Sequence, residues 1–546
     1  MMLTIARILA AIASGVALVA VAPPLNQAWL HWVCLVPVLW ALRSDPPHQT
    51  PNARRWYGVL PLLSELKEKS NRFNTLLGFI FGFASEFAIY WWLVDTVSRF
   101  SNFPMWLGVL VLVVFALAHA LPFALVFGLA QPLRRHLGPA WLLVVPAVLV
   151  VTEWLFPAQF PYQQGATQYR EPWIFQLVSV TGVYGLSFFL LLVNCTIAEW
   201  LYRWRDGRRP WPWRISLLVA GAFVLNLGFG AWRHGRIEQV LQHEARPLKV
   251  AILQQNITME ERYTQMPEEV VRGWFAATRK LKGQDLDLVV WPEGSSPYNP
   301  HEGNMYKALG RMVTGGDFEL LIGGGTHEYI TDEATGEPGL LFHNSVYMMN
   351  AAGEITGRYD KLAPLPFGEY IPLAQTFPIL KKWIKGPGDF RAGTEASLLP
   401  ADGYTIAAPI CYEATRPDIV QRLKHADLFV NITNDAWFGH TAAAWEHAML
   451  AAVRSTELGR PTLRMAYSGI SMIVEPHGDI PYETQIFTDV AEVRTLRLAT
   501  FDTIYWRLGF WFPVLCLLGS LAAFELAWRR SLRPQPSSHR FDSSSG

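Results

Sequence analysis

Long stretches without a charged side chain fill the first 233 residues of this chain, and one more lies close to its C-terminal end. A helix needs roughly 20 apolar residues to cross a bilayer core, and helices and closed barrels are the structures that satisfy their backbone there. Eight stretches qualify as candidate spans: Ile5–Ala22, Ala28–Leu42, Leu76–Val97, Trp106–Leu129, Trp141–Phe156, Ile174–Leu201, Ile215–Trp232 and Ile504–Trp528. The second and fifth are short. With 51% hydrophobic and 17% charged residues over 546 positions, the chain is too apolar for a wholly soluble protein. The balance of 46 Lys+Arg against 45 Asp+Glu gives no case for a nucleic-acid partner.

Arg7 before an apolar run has the form of a secretory signal. Val21-Ala22-Pro23-Pro24 is a poor cleavage site, however, and a second apolar run follows at once, so a retained span is expected. Basic residues accumulate in cytoplasmic loops. With the N-terminus inside, Arg43, Arg54, Arg55, Lys67, Lys69, Arg72, Arg134, Arg135, Arg203, Arg205, Arg208, Arg209, Arg214, Arg529, Arg530, Arg533 and Arg540 lie on one side. Arg99, Arg170, Arg233 and Arg236 lie on the other, a bias of 17 to 4. The reading is a membrane region over 1–233 with seven spans, an extracytoplasmic domain over 247–500, a final span over 504–528 and a cytoplasmic tail over 529–546.

The extracytoplasmic stretch changes pattern. Short β-rich runs at Leu248–Gln255, Leu286–Trp291, Glu319–Gly323, Ser345–Asn350, Ile355–Tyr359, Thr405–Pro409, Leu428–Ile432 and Ile470–Glu475 alternate with amphipathic helices over Glu268–Lys282 and Ala444–Leu458. That alternation predicts a layered α/β domain. Gly323-Gly324-Gly325 lacks the Lys-Ser/Thr of a phosphate-binding loop and reads as a tight turn. His301, His327, His343, His440 and His447 have no close metal-ligand spacing, so neither metal nor cofactor is expected.

Cys34, Cys195 and Cys516 lie in apolar runs, which leaves Cys411 as the lone thiol of the extracytoplasmic domain. An unpaired thiol facing an oxidising compartment is a liability unless its chemistry is used. Three segments end strands with reactive groups: Trp291-Pro-Glu293, Asp360-Lys361 running to Pro-Phe-Gly-Glu369, and Cys411-Tyr412-Glu413. A base, a cation and a nucleophile are what acyl transfer through a thioester requires. Singly, each Glu or Lys would be ordinary solvated surface, Asn434-Asp435 an ordinary turn, and Trp437 and Phe438 core aromatics or walls of an acyl pocket.

The ordered carboxylate, Lys and Cys with these flanking residues resembles the nitrilase superfamily. Combined with the spans, Cys411-Tyr412-Glu413, Pro-Phe-Gly-Glu369 and Asn434-Asp-Ala-Trp437-Phe438-Gly439, it resembles the apolipoprotein N-acyltransferase family. The resemblance implies a polytopic α-helical membrane region joined to an α/β nitrilase-like αββα sandwich. It also implies Cys411 as nucleophile, Glu293 as general base and Lys361 as oxyanion stabiliser, with Glu369, Tyr412 and Glu413 in support. Glu413 is expected to orient the incoming amine or the pocket around the thioester. Tyr263 stands where such proteins often present a tryptophan, and is expected near the site entrance. The implied partners are the bilayer, a phospholipid acyl donor and a diacylated apolipoprotein acceptor, at a bacterial inner membrane.

An enzyme acting on phospholipid must meet a substrate that seldom leaves the membrane, which gives the spans a purpose. Trp91, Trp92, Trp106, Trp154, Trp173, Trp506 and Trp511 fall near predicted span ends, as interfacial anchors do. Glu86, Asp95 and Glu153 lie at membrane depth, where packing hydrogen bonds are the favoured reading over substrate contact. Two other readings stay open: a membrane-tethered nitrilase-type amidohydrolase with water as acceptor, and a transporter with an extracytoplasmic binding domain, which leaves Glu293, Lys361 and Cys411 unexplained.

Overall fold

The computed structural model describes residues 1–43, 66–101, 104–207, 212–331, 338–374, 376–377, 379 and 389–531. Among them five helices are long and apolar enough to cross a membrane, or six if the pair Lys69–Ile89 and Trp92–Arg99, bent by 53°, forms one span. One of the five is the 51-residue run Met105–Leu155. At about 1.5 Å per residue it would far exceed a hydrocarbon core of about 30 Å. Gly138, at φ 57°, reverses it, and Leu121–Leu137 packs against Trp141–Leu155 as the returning leg.

Three expected spans take other forms. Ala28–Leu42 is a 3₁₀ turn over Ala28–Trp32 followed by the short helix Val36–Ala41. Its freed polar groups find partners inside the bundle: Asn194 Oδ1 accepts from Leu35 N at 3.0 Å, and Gln168 Nε2 donates to Ala28 O at 3.0 Å. Such satisfaction is what lets non-helical backbone persist at membrane depth. Ile174–Leu201 breaks at Gly182, φ 68°, with the long helix resuming over Val183–Arg205. The final run breaks at Gly509, so Ile504–Leu508 is a separate turn and the long helix is Trp511–Ser531. Trp213–His243 runs past its expected end, with Leu217, Leu218, Val224 and Leu225 facing outward as lipid-facing residues do.

The α/β domain holds two six-stranded sheets. The first comprises β1 (Arg246–Gln254), β2 (Leu288–Ser296), β3 (Glu319–Thr331), β4 (Pro338–Met349), β5 (Ile355–Asp360) and β12 (Val490–Leu498), in the order β12-β1-β2-β3-β4-β5. The second comprises β6 (Leu399–Ala401), β7 (Tyr404–Ala407), β8 (Leu428–Thr433), β9 (Thr462–Ala466), β10 (Met472–Val474) and β11 (Tyr482–Glu483), in the order β11-β10-β9-β8-β7-β6. Strands β1, β2 and β3 run parallel, as do β7, β8 and β9. Parallel strands are buried on both faces and read as continuous apolar runs, which is how Leu288–Trp291 and Leu428–Val430 are composed. Helices Pro267–Arg279 and Gly303–Thr314 accompany the first sheet, and Pro417–Arg422 and Ala443–Leu458 the second. One apolar core joins both sheets, giving the αββα sandwich.

Candidate active site

The three segments singled out in the sequence converge at the ends of β2, β5 and β7. Glu293 sits where the β2–β3 register shifts between Trp291 and Ser296. The displaced strand there leaves no space for a side chain on β3. A Cβ on Gly323 would lie 2.6 Å from Pro292 O and 2.9 Å from Glu293 Cα. Cys411 opens a 3₁₀ turn, Cys411–Thr415, with φ 54°. A non-glycine residue in that region costs about 1–3 kcal/mol and is held only where surroundings impose it. Here Asn431 Nδ2 imposes it, donating to Pro409 O at 2.8 Å and to Cys411 O at 3.1 Å.

Lys361, 1% exposed, follows β5 directly. Its Nζ lies 2.8 Å from Glu369 Oε2 and 3.3 Å from Glu293 Oε1. Burial opposes its charge, but Glu369 and Glu293 outweigh that and hold its pKa well above the ordinary lysine value. Glu293 receives two further hydrogen bonds: Asn344 Nδ2 donates to Oε1 at 2.8 Å, and Asn434 N donates to Oε2 at 2.9 Å. Asn344 also donates to Glu369 at 2.6 Å, and Leu365 N donates to the same side chain at 2.6 Å. Burial pushes the Cys411 thiol far up and Glu293 adds to this, against Lys361 and a hydrogen bond with Thr433. The resting pair is therefore a neutral thiol beside a lysine ammonium.

Glu413 is fully buried, and both its oxygens are committed. Oε1 accepts from Ala363 N at 2.9 Å, while Oε2 accepts from Ile410 N at 2.8 Å and from the Tyr359 hydroxyl at 3.0 Å. Burial, opposed by Lys361 and these donors, raises its pKa to about 7. Through these bonds Glu413 ties the turn carrying Cys411 to the segment carrying Lys361. Asp435 is another buried organiser, accepting from Thr433 Oγ1, His447 Nδ1 and Arg464 Nη2 at 2.9–3.0 Å. Burial would raise its pKa, yet Arg464 and His447 hold it well below the ordinary range.

A cleft of about 980 Å³ lies beside this constellation. One wall comes from the membrane region, with Glu153–Gln159, Tyr184 and Phe510. The other comes from Leu362–Pro364, Tyr370–Ile371, Phe390–Ala392 and Tyr412. Tyr412 and Leu362 are the chain neighbours of Cys411 and Lys361. Trp437 and Phe438, expected as possible pocket walls, do not line this cleft. Phe438 instead packs edge-on against Trp92 of the membrane region, centroids 5.3 Å apart. Glu153 Oε1 accepts from Gln164 N at 3.0 Å, a packing hydrogen bond of the kind expected, and the residue also lines the cleft. Glu86 pairs with His119 at 3.6 Å, and Asp95 with Arg99 at 2.8 Å. Tyr263 lies in the helix Met259–Thr264 and its side chain falls outside the described residues.

Sequence reasoning missed Asn344, Thr433, Arg464 and the pair Asn431 and Asp435 as organisers. Each is a polar side chain in or beside an otherwise apolar strand, and that misfit was the available signal.

Two family models match the chain. The apolipoprotein N-acyltransferase N-terminal domain covers residues 14–196, and carbon-nitrogen hydrolase covers residues 249–499. An apolipoprotein N-acyltransferase of Geobacter metallireducens is 31% identical over 90% of this chain and 94% of its own length. The one from Rhizobium etli is 31% identical over 74% of this chain and 76% of its own. An amidase from Nesterenkonia sp. matches at 16% identity with a TM-score of 0.34, over 48% of this chain and 92% of that one. The relatives named as acyltransferases extend through both the membrane region and the α/β domain, which disfavours the amidohydrolase reading. This membrane protein therefore belongs to the apolipoprotein N-acyltransferase family, acyltransferases of the nitrilase superfamily.

Proposed function

We propose that the chain moves a fatty acyl group from a phospholipid to Cys411 and then to the N-terminal α-amine of a diacylglyceryl-cysteine on an apolipoprotein. The observation that carries this reading is the shared cleft, with one wall from the membrane region and the other ending at Tyr412. An acyl chain entering from the bilayer side is brought beside Tyr412 and Leu362, the chain neighbours of Cys411 and Lys361.

In the first step Cys411 Sγ attacks the ester carbonyl carbon while Glu293 takes the thiol proton. Glu293 accepts from Asn344, Lys361 and Asn434, which hold its carboxylate in place. The oxyanion forms beside Lys361, whose ammonium is held charged by the carboxylates flanking it. Collapse expels the lysophospholipid oxygen, which takes the proton from Glu293, and leaves the thioester. In the second step the amine attacks the thioester carbon, Glu293 accepts an amine proton, and the sulfur leaves to regain a proton. The product is a triacylated lipoprotein. The catalytic domain stands on the periplasmic side of the inner membrane with both termini cytoplasmic, as the 17-to-4 basic bias supports.

The test is mass spectrometry of purified enzyme mixed with phospholipid, then with a diacylated lipopeptide. An acyl mass on the Cys411 peptide that disappears onto the lipopeptide is expected. Cys411→Ser should fold but transfer nothing, because an alkoxide is far harder to generate than a thiolate. Free fatty acid released without any acceptor would instead mark a hydrolase. All four cysteines are buried, so an impermeant thiol reagent should label Asp402→Cys, on an exposed turn, from the periplasm. Labelling only after lysis would reverse the orientation.

A further inference from the structure

In the C-terminal half of the Trp213–His243 helix, five metal-capable side chains meet. His234 and Glu238 lie one turn apart on that helix, and Glu475, His477 and Asp479 come from the turn after β10. His234 Nε2 is 3.0 Å from Asp479 Oδ1, and His477 Nε2 is 3.8 Å from Asp479 Oδ2 and 3.1 Å from Glu238 Oε2. The imidazoles lie parallel with centroids 4.4 Å apart. The donor atoms of His234, His477 and Asp479 all fall within 4.8 Å of one another. A tetrahedral zinc with bonds of about 2.1 Å separates its donors by about 3.4 Å, and the two measured N–O distances straddle that.

Charge makes the second argument. Glu238, Glu475 and Asp479 face one guanidinium, that of Arg497, which bonds both oxygens of Glu238 at 2.9 and 3.0 Å and Glu475 at 2.6 Å. Arg497 thus neutralises part of the charge on the two glutamates, while Asp479 faces His234 and His477. With neutral imidazoles the group carries two negative charges in excess. A divalent cation balances that excess.

We propose that His234, His477 and Asp479 bind a divalent transition-metal cation of the zinc type, with Glu238, Glu475 and Arg497 around it. This departs from the expectation of no metal, which had considered other histidines. The ion ties the last helix before the catalytic domain to the β10–β11 turn of that domain. The same turn is also held by Gln176, whose Nε2 donates to His477 O at 2.8 Å. Its role is to fix the catalytic domain on its membrane stem, outside the chemistry at Cys411.

The experiment uses the full chain in detergent, stripped with chelator and titrated with zinc chloride. Bound metal is read by elemental analysis after gel filtration, and stability by thermal unfolding. One zinc per chain and a higher unfolding temperature are expected. His234→Ala and Asp479→Asn should each weaken binding by at least the ~10-fold that loss of an outer-shell partner costs, with Cys411 acylation retained at low temperature. Retention of no zinc, or wild-type binding in both variants, overturns the site.

Discussion

Glu413→Gln separates a positioning role from a substrate-binding one. The wild-type carboxylate has two acceptor oxygens and three donors, Ala363 N, Ile410 N and the Tyr359 hydroxyl. The amide has one acceptor and one donor group. Whichever way it turns, its NH₂ faces a backbone N–H, of Ala363 or of Ile410, and that donor goes unmet. A buried donor left unsatisfied costs about 1–3 kcal/mol. The strain falls on both sides of the site at once, because Ala363 lies two residues after Lys361 and Ile410 immediately precedes Cys411. A displacement near 1 Å at reacting groups costs about 10²-fold in rate. Loading of Cys411 from labelled phospholipid should therefore slow by about 10²-fold, and unfolding should move down with it. Tyr359→Phe removes one donor without stranding a backbone N–H and should lose less of both. Acyl-enzyme is followed by mass, with and without lipopeptide. If Glu413→Gln loads Cys411 at the wild-type rate and fails only at transfer, Glu413 acts on the amine and the positioning argument is wrong.

Lys361→Ala strips the cation from between Glu293 and Glu369. It should destabilise the chain by about 3–5 kcal/mol and cut thioester formation by at least about 10²-fold; normal loading in a mass assay would remove Lys361 from the oxyanion role. Glu413 carries a pKa raised from 4.5 to about 7, so the folded state holds a proton the unfolded chain has released. Its stability contribution is complete below pH 4.5 and is lost as pH rises through about 7, an effect of ~3 kcal/mol. Thermal unfolding across pH 5–8 should show this decline, and Glu413→Gln should flatten it; an unchanged slope in the variant would refute the assignment. Gly323→Ala places a Cβ 2.6 Å from Pro292 O and should lower acyl-enzyme formation by displacing Glu293, and full activity there would show that the β2–β3 approach tolerates the methyl group.

Much of this was legible in the sequence because the signals were local. Apolar runs such as Leu288–Trp291 marked the buried parallel strands, and Glu293, Lys361 and Cys411 stood where strands ended. The breaks inside the apolar runs were less legible, since hydropathy does not distinguish a straight span from Ala28–Ala41, whose polar groups are met by Gln168 and Asn194 from far along the chain. Strands β9 and β12 were missed for a related reason. Arg464 interrupts the apolar pattern of β9, and its partners Asp435 and Ile470 O appear only in three dimensions. In β12 the alternating charges of Glu492, Arg494 and Arg497 obscured a strand whose register with β1 is fixed by tertiary pairing. Adjacency to Cys411 in sequence said nothing of the burial of Glu413 or of its bond from Ala363 N.

The membrane region does more than hold the enzyme at a surface. The proposed base Glu293 takes one of its hydrogen bonds from Asn434 N, and Asn434 begins the turn that ends in Phe438 and Gly439. Phe438 packs on Trp92, and the Trp92 indole donates to Glu446 Oε2 at 3.0 Å, a carboxylate raised to about 8 by burial. Glu446 lies on the helix Ala443–Leu458, which also carries His447 to Asp435. Asp435 in turn accepts from Thr433, a side chain near enough to Cys411 to oppose the rise of its pKa. Trp92 follows the 53° bend in the membrane region, so one bent helix pair supports, through Phe438 and Glu446, the turn that positions the proposed base and the network beneath the proposed nucleophile. Removing the membrane half would therefore leave the α/β domain without a wall of its cleft and without the support that fixes Asn434 against Glu293.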